Sequence, residues 1–266
     1  MKQSVKSINP AAACLAESDP TIKCRCVAEL KRDGTFYQGD PINLAPGRPE
    51  RPTLVDPRNL PKRKLSTAKG HAAFVHAICH IEFTAINLAL DAVVRFSGMP
   101  TQYYADWIGV AIEEAKHFSL LDAHLKSLGF AYGDFAAHDG LWDMAERTSD
   151  DVLRRMALIP RVMEARGLDV TPNMLVRLES IGDHQGGSIL NTILRDEIGH
   201  VAIGSRWFAS ICASRGLDSL TTFGRIIAAE LGQIRASQLN RSARLAAGFS
   251  NAELELLLDP AKRKQS

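Results

Sequence analysis

Apolar residues recur at helical spacing through most of the chain beyond position 67 and only sparsely before it. From Thr67, which can cap a helix, they run through Phe74, Ile78, Ile81, Ala85, Leu88 and Val93 until Gly98-Met99-Pro100 ends the pattern. A second helix is predicted over residues 101–128, closed by Gly129. Residues 130–140 read as a loop, and 141–147 and 149–166 as helical, with Pro160 placed to kink the latter. Val170-Thr171-Pro172 breaks the pattern, so Thr171 and Pro172 should cap and open another helix reaching about His184. That break leaves Glu164 near a helix end. Gly186-Gly187 then precedes a further helix. Helical stretches follow at 220–234 and, capped by Ser250, at 252–258, before a basic tail expected to fray.

Upstream, Asp19-Pro20 looks like a cap and first-turn proline opening a short helix that stops near Gly34. From Gly39 to Lys64 prolines are too frequent for helix or central strand, which predicts an extended surface segment. The expected architecture is therefore all-α: an irregular N-terminal extension over 1–66 and a helical domain over 67–266, with four bundle helices and extra C-terminal ones.

On this frame two acidic pairs are each followed by a histidine: Glu113-Glu114-Ala115-Lys116-His117 and Asp196-Glu197-Ile198-Gly199-His200. Residues i and i+3 lie about 60° apart on a helix, so Glu114 with His117, and Glu197 with His200, can converge on one ion. Glu113 and Asp196, one residue earlier, sit where a carboxylate can take the imidazole's other N–H. Glu114 is flanked at helical spacing by Val110, Ala111, Phe118 and Leu121, and Glu197 by Ile193, Leu194 and Val201. A carboxylate on such a stripe needs a cation. A four-helix di-metal site takes one further glutamate from each of two other helices. Glu82 precedes Glu114 by 32 positions and Glu164 precedes Glu197 by 33, the pattern of two repeated helix pairs. Glu179 and Asp183 are reserves for Glu164. Four glutamates with two neutral histidines carry about four negative charges, which matches two divalent ions.

The remaining composition narrows the picture. A net charge of +2 makes no global case for nucleic-acid binding, although Arg48, Arg51, Arg58, Lys62, Arg63 and Lys64 make one stretch locally basic; a solvated linker is the reading. Five cysteines without regular spacing do not form a disulfide framework, and Cys24-x-Cys26 lacks a partner pair for zinc. With neither a secretory leader nor an 18-residue apolar stretch in the reading, a reducing cytoplasm is expected and a membrane is not. His71, His76 and His80 read as core or surface groups, as do Tyr103, Tyr104 and Trp107 as core or interface aromatics. Arg95, Arg195 and Arg206 read as solvated or paired. His184 reads as off the ligand face on helix phase.

With its paired motifs the chain resembles the ferritin-like carboxylate-bridged di-iron proteins, which include ribonucleotide reductase small subunits, bacterial multicomponent monooxygenases and a tRNA hydroxylase. The likeness covers about residues 67–215. HIEFTAINLALDA, EEAKHFSLL, YGDFAAHDGLWDMA, PRVMEARGLDVTP and RDEIGHVAIGSRWF are similar to phrases of a bacterial ferritin-like family of unknown function, as are PGRPERP and LPKRK. The resemblance implies Glu82, Glu114, His117, Glu164, Glu197 and His200 as metal ligands, and Glu164-Ala165-Arg166 is also similar to the third-helix ligand segment of the tRNA hydroxylases.

Three functions are compatible with these residues. The first is an O₂-dependent oxidoreductase, a hydroxylase or oxidase, using two iron ions, or manganese or a mixed pair, with an electron-donor protein, an unidentified small-molecule substrate and a possible homodimeric assembly. The second is a non-catalytic metal binder, storage protein or peroxide scavenger, which predicts a sealed site. The third is a tRNA-modifying hydroxylase, drawing on the basic segment and an RNA substrate.

Overall fold

The computed structural model describes residues 9–33, 40–232 and 238–261, and among these the chain is all-helical, without a β-strand. It forms two compact units, Met1–Trp142 and Asp143–Ser266. In the first unit the N-terminal helices pack onto the long helices that follow them.

In the first unit, α1 (Pro10–Ala16) was not anticipated, whereas α2 (Pro20–Ala28) begins as predicted, with the Asp19 carboxylate accepting from the N–H groups of Thr21 and Ile22. It ends at Ala28, short of the predicted stop near Gly34, with residues 29–33 already outside the helix. Cys14 and Cys26 form a disulfide, a correction to the expectation of none: the hairpin of α1 and α2 brings their Cα atoms to 5.7 Å, which residue spacing alone does not reveal. Inside the loop it closes, Lys23 is fully buried, and its Nζ donates to the carbonyls of Leu15 (3.1 Å) and Gly47 (2.9 Å) and to Asn87 Oδ1. Burial, helped by Arg48, lowers its pKa to about 7. Gly47 is required there, since a Cβ would lie 2.1 Å from the Ala16 carbonyl oxygen.

Among the described residues, the proline-rich segment contains only a 3₁₀ turn at Pro57–Asn59 and an isolated bridge between Leu54 and Ala137. Thr67 then caps α3 (Ala68–Arg95), accepting from Gly70 N–H at 3.0 Å, and α4 (Thr101–Ser127) ends at Gly129 with φ +81°. α3 and α4 pack along each other, with α1 against α3 and α2 against α4. α3 is long and apolar enough over 18 residues to cross a bilayer by composition, which corrects the sequence reading, yet 89 % of that stretch is buried within the fold. Tyr103 and Tyr104 are core residues, their hydroxyls donating to the carbonyls of Ala92 and Phe96. The division between units falls in α5 (Gly140–Arg147).

In the second unit α6 (Val152–Leu158) passes into a π-helical turn, Ile159–Glu164, and on into α7 (Ala165–Glu179). The predicted break at 170–172 is absent. Pro172 has no N–H for the Leu168 carbonyl, but Asn240 Nδ2 donates to that oxygen at 3.2 Å, and Thr171 Oγ1 donates to the Gly167 carbonyl at 2.7 Å. The helix thus continues through the proline, and Glu164 lies within a long helical run, away from its end. α8 (His184–Ser214), capped by Asp183, includes Gly186 and Gly187 and packs on α7. α9 (Ser219–Leu231) follows; the predicted extension to Ile234, like the end of the basic tail, lies outside the described residues. α10 (Arg241–Ala246) and α11 (Asn251–Leu258) complete the unit, α11 opening on a capping box between Ser250 and Glu253.

Candidate metal centre

Three of the predicted ligands meet in the first unit. Glu82 comes from the middle of α3, and Glu114 and His117 from successive turns of α4. His117 Nδ1 lies 3.2 Å from Glu82 Oε2 and 3.2 Å from Glu114 Oε2. Each of the three offers a ligand atom within 4.8 Å of the others. Glu114 and His117 are 0 % exposed and Glu82 is 4 % exposed, so the charges face each other inside an apolar interior. Burial opposes a positive charge on His117, but hydrogen bonds to Glu114 and Glu82 outweigh it and carry the ring's pKa up to about 11. Two carboxylates and one imidazole nitrogen this close together can hold a metal ion.

The second unit presents the other motif on α8, where His200 Nδ1 stands 3.4 Å from Glu197 Oε1; His200 is 1 % exposed and the Glu197 side chain 13 %. Glu164 closes the π turn, with its Oε2 withdrawn from solvent. Pro160 abuts Gly204 so closely that a Cβ there would lie 2.3 Å from the proline's own.

Both outer carboxylates have arginine partners: Glu113 pairs with Arg32 at 3.1 Å and Asp196 with Arg195 at 3.2 Å. The reserve ligands are engaged elsewhere, Glu179 beside exposed His184 at 3.5 Å and Asp183 in the cap of α8. His76 and His80 are core groups, as expected. His76 Nε2 accepts from Gly133 N–H at 3.0 Å, and Tyr132 Oη lies 2.8 Å from His80 Nδ1.

Sequence reasoning missed Arg161, which is 2 % exposed. Its guanidinium lies 4.3–4.7 Å from the ring centres of Phe208, Phe223 and Phe249, and its Nη2 donates to Glu253 Oε1 at 2.6 Å. The only signal was an arginine directly after a proline in a helical stretch, which does not reveal burial.

An all-helical chain with a buried cluster of carboxylates and imidazole able to hold a metal ion defines the class. More particularly, the chain belongs to the family described as Protein of unknown function (DUF455), whose model matches residues 16–255. It is similar to an uncharacterized protein of Haemophilus influenzae (strain ATCC 51907 / DSM 11121 / KW20 / Rd), with 41 % identity over 266 residues, covering 97 % of this chain and 92 % of that one. No solved structure matches the chain.

Proposed function

We propose that this chain is a ferritin-like di-metal carboxylate protein, with Glu82, Glu114 and His117 from one helix pair and Glu164, Glu197 and His200 from the other as ligands of two ions. Iron is the metal that best suits the reading, with manganese or a mixed pair as the alternative. Glu113 and Asp196 belong to it as the carboxylates that orient the two histidines. The convergence of Glu82 and Glu114 on His117 Nδ1 carries the proposal. The same Glu-x-x-His spacing on α8 supports a second, equivalent set.

Bound as iron, the pair would supply electrons for reducing O₂ and a polarising charge beside a substrate, the chemistry of a hydroxylase or oxidase. For that, His117 gives up its Nδ1 proton, while Glu82 and Glu114, held in a dry interior, fix the remaining negative charge. The full burial of Glu114 and His117 also supports a second reading, in which the ions pin the helices without turnover.

Metal analysis tests the common core: about two ions per chain are expected for such a site, and Glu114→Ala or Glu197→Ala should lower the content markedly. Unchanged content in both variants overturns the di-metal reading. Oxygen uptake after anaerobic ferrous loading separates the two functions: consumption coupled to iron oxidation supports the oxidoreductase, and indifference to O₂ supports the structural role.

A further inference from the structure

We propose that the buried pair Arg161–Glu253 is a positioning clamp that keeps the π turn wide and thereby sets the direction of the Glu164 carboxylate; the inference rests on Glu164 being a metal ligand. The turn Ile159–Glu164 closes with Ala165 N–H on the Pro160 carbonyl, five residues back. One extra residue in a turn shifts the helical phase by about 100°, so the face from which Glu164 projects depends on this turn staying wide. Isolated π turns are rare in helices and occur frequently at functional sites.

The restraint comes from the C-terminal helices and α8. Arg161 Nη2 reaches Glu253 Oε1 on α11, and its Nε donates to Ser205 Oγ on α8 at 3.3 Å. Three phenyl rings enclose the guanidinium, and the backbone carbonyl of Arg161 accepts from Arg244 Nη1 at 3.5 Å. Arg244 is itself held by both carboxylate oxygens of Asp169 at 2.9 and 2.7 Å. Glu253 cannot shift to follow a relaxing turn, because its Oε2 accepts from Ser250 N–H at 2.8 Å in the capping box of α11. A buried ion pair is a poor way to gain stability compared with apolar packing of the same volume. Here it fixes one residue of the turn to a rigid helix start, one turn before Glu164.

The test is a double-mutant cycle on the full chain, titrated with Co²⁺ and followed by visible absorption, with thermal unfolding to show that each variant is folded. Glu164→Gln should weaken one cobalt site and alter its spectrum. Glu253→Ala should give the same signature, weakening that site by about 10- to 100-fold, as loss of an orienting partner does. The double variant should be no weaker than Glu164→Gln alone, since the clamp acts through that carboxylate. Both cobalt sites keeping the parental spectrum in Glu253→Ala, or additive losses in the double variant, overturn the clamp. If Glu253→Ala does not fold, Arg161→Lys carries the test: it keeps the charge opposite Glu253 but loses the planar fork and the stacking. A Glu164→Gln protein with both sites intact would instead remove Glu164 from the ligand set, and the clamp with it.

Discussion

Two glycines on α8 should respond to alanine with opposite signs. At Gly204 an added Cβ would sit 2.3 Å and 2.4 Å from Pro160 Cβ and Cγ, inside the ordinary contact distance by more than an ångström. The proline ring is fused to the backbone of the π turn and cannot rotate aside, so relief requires α8 and the turn to move apart. Overpacking of this kind costs about 1–3 kcal/mol, and the rigidity of both partners favours the upper end. At roughly 2–4 °C per kcal/mol, the melting transition of the second unit should fall by about 6–12 °C in Gly204→Ala. At Gly199 nothing lies within 4 Å of the added Cβ, and the residue is exposed. There alanine only removes backbone freedom from the unfolded chain and should stabilise by about 0.5–1 kcal/mol. Differential scanning calorimetry of both variants resolves the sign, and with two compact units the transition containing α8 must be followed separately. A Gly204→Ala protein as stable as its parent would refute the close packing of the π turn on α8.

Burial, partly opposed by Asp134, lowers His76 from 6.5 to about 4, so the folded state resists a proton that the unfolded chain accepts. Its stability contribution is complete above pH 6.5 and is lost as pH falls towards 4, by about 3 kcal/mol at most. Denaturant titrations should show the parent losing stability relative to His76→Gln across that window, and a constant difference would contradict the burial of a neutral ring. Asn240→Ser should retain the cap of α10 but cost about 1 kcal/mol by leaving the Leu168 carbonyl without its donor. Pro172→Ala in that background should recover the loss, because an alanine N–H reaches the same oxygen; no recovery would mean that Asn240 acts elsewhere.

What could be read from residues alone was local. Thr67, Asp19 and Ser250 announce their helices because a cap is a short-range hydrogen bond, and all three perform it in the fold. The Glu114–His117 and Glu197–His200 pairs were legible because helical geometry alone brings i and i+3 together. The continuity of α7 was not legible, since the donor that replaces the Pro172 N–H lies 72 positions from the carbonyl it serves. The π turn escaped for a related reason: its support comes from Glu253, 92 positions from Arg161. The Cys14–Cys26 bridge likewise required knowing that two short helices fold back on each other.

The composition of α3 also has a consequence for how the chain is made. When α3 leaves the ribosome, α4 is still inside it, so a stretch apolar enough for a bilayer has no α4 to lie against, although α1 and α2 have already emerged. The packing of α1 on α3 and the Lys23 hydrogen bond to Asn87 are the contacts of the final fold whose partners are already outside at that stage.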